Sequence, residues 1–195
     1  MRAPLGAYFR AFAVALCGWA LGLGLTAVAV SSGYGFGALR VGPWTAWPQI
    51  GGLEIDPFAR AALAKRGEAP LGKDQGMTFV AEADSSGAPL EGRCEYRLEG
   101  ALPRARFWTI GLASPAGEPL ANPAGRHYYA STYLLRREGG AFDVALAREA
   151  RPGNWLSPGD ARSFVVVLRL YETPLDPAAR ADPAGFPRII KTGCA

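Results

Sequence analysis

The chain is short of the residues that most enzyme chemistry uses. It has one histidine, His127, and three cysteines, so a zinc centre or a Ser-His-Asp triad would have to be built around a single imidazole. No GxSxG, HExxH or CxxC occurs, and no DxDxDG run offers an EF-hand loop. Gly33, Gly35 and Gly37 lack the preceding strand and following helix that a phosphate loop needs. No metal and no cofactor are expected. The carboxylates available for glycoside hydrolysis, Asp84, Glu95, Glu99, Asp143 and Asp160, are scattered at expected strand ends, where such groups are ordinarily solvated. Internal repeats and low-complexity blocks are missing as well.

Charge is scarce in two senses. No charged residue occurs between Arg10 and Arg40, and the balance beyond that gap is nearly even. Removing Arg2 and Arg10 from the 21 basic residues leaves 19 against 17 acidic ones, a net +2. Nucleic acid is a poor partner for such a surface, because phosphate binding needs a concentrated basic face.

What fills the gap is an apolar run, Ala11 to Val30. At about 1.5 Å per helical residue some 20 residues match the roughly 30 Å hydrocarbon core, with backbone hydrogen bonds satisfied internally. The expected organisation is a tail (1–10), a transmembrane helix (11–32), a juxtamembrane linker (33–55) and an exported domain (56–195). Arg2, Arg10 and the N-terminus before the run keep that end cytoplasmic. The competing reading is a cleaved signal ending at Ala27-Val28-Ala29, although a signal's apolar core is typically only about 7–15 residues. Ala11, Ala15, Gly18 and Gly22 share one helix face and could pack against a second helix. Tyr34, Phe36, Trp44 and Trp47 suit an interfacial aromatic belt.

Beyond the linker, Asp56 is a good N-cap, Pro57 suits the first helical position and Gly67 a C-cap. Phe58, Ala61 and Ala62 form the apolar stripe of this short helix, which is expected against a sheet edge. The pattern then changes to period two. In GRCEYRLEG, Cys94, Tyr96 and Leu98 alternate with arginines and glutamates, so Cys94 points inward. Further strands are read in TFVAEAD, RFWTIGLA, ASTYLLRR (from Ala130), AFDVALA and SFVVVLRLY, separated by Gly/Pro turns. The last is apolar on both faces and should be central, with Arg169 needing a partner if it is buried. Short strands at this spacing predict a mainly β protein, an antiparallel β-sandwich or jelly roll with one short helix. With Cys17 in the membrane segment, Cys94 and Cys194 form an even pair in an oxidising compartment and are expected as a disulfide, stabilising by about 4.7 kcal/mol in the chain-entropy account.

The succession DPFARAALAKRGEAPLG, FVAEADSSGAPLEGRCEYRLEG, ARFWTIGLASPAGEPLANPAGR, PGNWLSPGD, FVVVLRLYETP and FPRIIKTGC resembles the bacterial family called domain of unknown function 1214, over Asp56 to Cys194. The resemblance implies a jelly-roll-like β fold, preceded by a membrane segment or another uncharacterised domain. A periplasmic domain on a single-pass inner-membrane anchor follows. No catalytic residue comes with the family.

Three readings of function remain. The first is an accessory or interaction domain whose partners are the lipid bilayer and a larger membrane assembly. A small-ligand or carbohydrate-binding module comes second, with Arg126, His127, Tyr128, Asn154 and Trp155 as the ligand-binding candidates near loops. A hydrolase comes third. Trp108 is expected buried with Arg106 at the strand start, and Trp155 is expected to plug one end of the sheets.

Overall fold

A computed structural model of the chain describes residues 5–31, 37–72, 74–122, 124–175 and 182–194. The expected belt residues Tyr34 and Phe36 lie outside them, as does Arg2.

The apolar run lies within helix α1, Leu5–Ser31, which begins inside the expected tail and includes Arg10; Gly6–Val30 is long and apolar enough to cross a membrane. Among the described residues ten strands follow: β1 (Leu39–Val41), β2 (Trp44–Ala46), β3 (Gly76–Ala81), β4 (Cys94–Gly100), β5 (Phe107–Ala113), β6 (Tyr128–Ala130), β7 (Phe142–Leu146), β8 (Trp155–Leu156), β9 (Val165–Tyr171) and β10 (Arg188–Cys194). They make two sheets, ordered β1-β2-β3-β9-β5-β6 and β10-β4-β7-β8. All pairings are antiparallel except β7 with β8.

Strand periodicity explains the core between them. Phe79 on β3, Ile110 on β5 and Leu168 on β9 meet Leu98 on β4, Val144 on β7 and Ile189 on β10 in one buried cluster. Aromatic pairs reinforce it, Trp108 stacked on Phe142 and Phe79 edge-on to Phe186. Trp108 is buried, and Arg106 is exposed in an ion pair with Glu172 at 3.0 Å.

Strand β10 carries a bulge. Lys191 stands opposite Tyr96 but Gly193 opposite Glu95, so Thr192 is the extra residue, and the slip sets Cys194 directly across from Cys94. The two are joined as a disulfide with Cα atoms 3.9 Å apart.

Four expectations change. Part of the expected linker belongs to the large sheet, since β1 and β2 form a hairpin paired onto β3. Trp44 is accordingly core rather than interfacial: it is fully buried and its indole N–H donates to the Pro187 carbonyl at 2.8 Å. The strand expected from Ala130 instead ends there, because the chain turns at 131–133, where the Tyr133 N–H donates to the Ala130 carbonyl. Helix α2 (Pro57–Arg66) has the expected caps: the Asp56 carboxylate accepts from the N–H groups of Phe58 and Ala59, and Gly67 adopts φ 64°. Its buried face, however, is Ala59, Ala62 and Leu63, packed on Trp47, Ile50 and Ile55 rather than on a sheet edge. Phe58 and Ala61 point outward. The apolar hairpin extension opposite the helix selects the face, a neighbour that helical spacing cannot show.

Candidate functional site

The outer face of the large sheet holds the groove of interest. In strands, residues two apart share a face, so while Met77, Phe79, Trp108, Ile110, Leu168 and Leu170 enter the core, Thr78, Val80, Thr109, Gly111, Val165, Val167, Arg169 and Tyr171 look the other way. One wall is supplied by Trp47, Pro48 and Ile50 from the layer that carries α2, together with the segment after α2 from Glu68 to Leu71, and the groove encloses about 750 Å³.

Arg169 stands at its centre. On β9 it is paired in register with Thr78 of β3 and Thr109 of β5, which places a guanidinium between two hydroxyl-bearing side chains on the same face. The side chain is exposed, and among the described residues no carboxylate pairs with it. Below it along β9, Val167 and Val165 form a small apolar cluster with Ala113 and Val80. Above it, Phe107 and Tyr171 pack with ring centroids 5.5 Å apart. Gly111 keeps this floor low, because a Cβ there would lie 3.0 Å from the His127 carbonyl and 3.3 Å from the Tyr128 Cβ. Glu68, Glu82 and His127 also line the groove.

The five residues read from the sequence as a ligand site do not share this cavity. His127 and Tyr128 line it, both exposed. Arg126 turns to Tyr129, donating to its hydroxyl at 2.9 Å with the guanidinium 5.2 Å from the ring centre. That hydroxyl also accepts from the Trp155 backbone N–H at 3.0 Å, so Tyr129 ties β6 to β8. Asn154 is buried and all of its amide is used: Oδ1 accepts from the Leu135 N–H, and Nδ2 donates to the Leu135 and Asp143 carbonyls. Trp155 is half-buried, its indole N–H donating to the Ala147 carbonyl at 2.8 Å. Asn154 and Trp155 are thus spent on holding the long connection before β9. Desolvation, and then the hydrogen bond its hydroxyl donates to Tyr128, push the Tyr133 hydroxyl above its usual pKa.

Sequence reasoning noticed Arg169 only as a residue in want of a partner. The available signal was an arginine interrupting the apolar outer face Val165, Val167, Tyr171 of a central strand. Among the described residues no three His, Cys, Asp or Glu side chains are placed to share a metal ion. On the small-residue face of α1, Ala11, Ala15, Gly18 and Gly22 are exposed.

Fold and groove together define a two-sheet β domain with an open cavity on one outer face, behind an apolar helix. The chain belongs to the family described as "Protein of unknown function (DUF1214)", whose model matches residues 75–175, a stretch that includes β3, β5 and β9. Among solved structures, the VPA0106 protein from Vibrio parahaemolyticus is 17% identical over 71% of this chain, with a TM-score of 0.55. That likeness is one of fold, and this chain spans about a third of the length of that protein, 36%. A putative uncharacterized protein from Burkholderia cenocepacia is 19% identical over 64% of this chain and 31% of its own, with a TM-score of 0.41. No curated protein matches the chain.

Proposed function

We propose that the chain is a single-pass inner-membrane protein whose N-terminus is cytoplasmic and whose periplasmic β-domain serves a larger membrane assembly as an accessory, ligand-binding module. The anchor reading is supported by the charge-free α1 after Arg10, and the compartment by a Cys94–Cys194 disulfide, a bond that persists where thiols are oxidised. The observation that carries the binding role is Arg169, a guanidinium without a carboxylate partner among the described residues, in a groove that is otherwise apolar along β9. Binding sites of this kind are concave and mostly apolar, with a few convergent polar groups. The exposed small-residue face of α1 suits close approach by a helix of the assembly.

A photo-crosslinking side chain, p-benzoylphenylalanine, placed at Tyr128, an exposed aromatic lining the groove, should yield an adduct of defined mass on irradiating membranes. The same group at exposed Arg97, on β4 of the other sheet, should not. Equal labelling at both positions, or none at Tyr128, would overturn the groove as the binding site.

A further inference from the structure

We infer that the groove takes a single-chain fatty carboxylate, its head on Arg169 and its tail along the Val167–Val165 floor. The inference rests on the groove being the binding site and names what occupies it. Arginine's planar fork matches a carboxylate with two parallel N–H donors. Thr78 and Thr109, directly across from Arg169 on both sides, add two hydroxyl donors at the same level of the sheet. This makes a head-group site for an oxyanion.

Charge selects which oxyanion. Among the described residues Arg169 is the one guanidinium lining the groove, and the exposed carboxylate of Glu82 also lines it. A cation that shares its groove with a carboxylate suits a monoanion and disfavours a phosphate monoester near −2. The floor selects the tail. From Arg169 to Val165 the strand advances four residues, about 13 Å, and that length is aliphatic, with Ala113 beside Val165 and Val80 beside Val167. Val165 and Val167 are only 5% and 8% exposed, so a tail against them lies enclosed, and there a polar sugar would leave its hydroxyls facing methyl groups without partners.

Position supplies a source. The wall residues Trp47 and Ile50 pack on α2, α2 contacts α1, and Ala29 and Val30 in the last turn of α1 are half-buried. Helix α2 thus links a wall of the groove to α1, which places the groove within reach of a single-chain amphiphile leaving a bilayer.

The test uses the full chain in phosphatidylcholine nanodiscs, titrated with [1-¹³C]dodecanoate and followed at the carboxyl resonance, with empty nanodiscs as the blank. Saturable binding is expected, weakened at least tenfold by Arg169→Gln and also weakened by Thr109→Val. Arg169 is exposed, so the melting temperature of the variant should match that of the parent. Dodecanol and dodecyl phosphate should each compete at least tenfold less well than unlabelled dodecanoate. Undiminished binding to Arg169→Gln, or dodecanol competing equally, would overturn the carboxylate site. Stronger competition by dodecyl phosphate would replace the assigned head group with a phosphate and overturn the inference in that form. Absence of dodecanoate binding while the Tyr128 crosslink still forms would sink the fatty carboxylate and leave the groove standing.

Discussion

Asn154 illustrates how a side chain near a loop can be spent on structure. Its amide takes the place of a neighbouring strand for Leu135, bonding both the N–H and the carbonyl of that residue, and it reaches the Asp143 carbonyl as well. Asn154→Ala would leave these backbone groups without partners, at a cost of about 3 kcal/mol. Thermal unfolding should show a lowered midpoint, with dodecanoate binding by the folded protein unchanged. Asp84 acts through charge. Burial raises its pKa, but the Ser86 hydroxyl and the N–H groups of Ser86 and Ala88 outweigh it and hold the carboxyl below the ordinary 3.8, helped by Lys191. A depressed folded value means that its stabilisation is full above the unfolded value and is lost as pH falls through the folded one. Asp84→Asn retains an acceptor oxygen and cannot titrate. Melting temperature below pH 4 should therefore fall less steeply for this variant than for the parent, and parallel acid limbs would contradict the role of Asp84.

Among the elements, α2 depends most on local chemistry and least on the large core. Its caps follow from Asp56, Pro57 and Gly67, while its burial is confined to a small cluster with Trp47, Ile50 and Ile55. Asp56→Ala removes the acceptor for two N–H groups and should cost about 1 kcal/mol. Because this cluster backs a wall of the groove, hydrogen exchange at 57–66 should speed up and dodecanoate binding weaken, with β3, β5 and β9 protected as before. Protection lost throughout the sheet would mean that α2 is integral to the core. The strands divide in the same way. Cys94, Tyr96 and Leu98 were legible as an inward set from alternation alone, and so was the central place of β9. The strand expected from Ala130 stops there because, although Ala130, Leu134 and Leu135 look like strand residues, the Ser131 N–H still donates to Trp108 on β5 while Tyr133 turns back to Ala130, and Leu135 is held by Asn154 instead of a strand.

For the whole molecule, the disulfide and the anchor set the limits. The bulge at Thr192 aligns Cys194 with Cys94 and ties the last strand to the middle of the chain. Replacing both by serine should destabilise the domain by about 2–5 kcal/mol, measured as a shift of the unfolding midpoint, and non-reducing peptide mapping should recover a single Cys94–Cys194 linkage with Cys17 alkylatable. Intact-mass analysis of the mature protein should retain residues 1–30. A mature chain starting at Val30 would remove the anchor and, with it, the proximity of groove and bilayer.

The sequence by itself determined what depends on near neighbours along the chain: the apolar span, the caps of α2, the alternation that turns Cys94 inward, and the choice of Cys94 and Cys194 as partners. Those readings rest on spacings of two to four residues, or on a count of thiols. Only the tertiary structure decided that Trp44 belongs to the core, that Asn154 and Trp155 serve a connection, and that Arg169 faces an open groove. Each of these depends on contacts between segments outside the reach of local spacing, from Leu135 with Asn154 to Thr78 with Arg169, which meet across β3 and β9. Register is set by which apolar faces find one another, and that choice is made by the packed core.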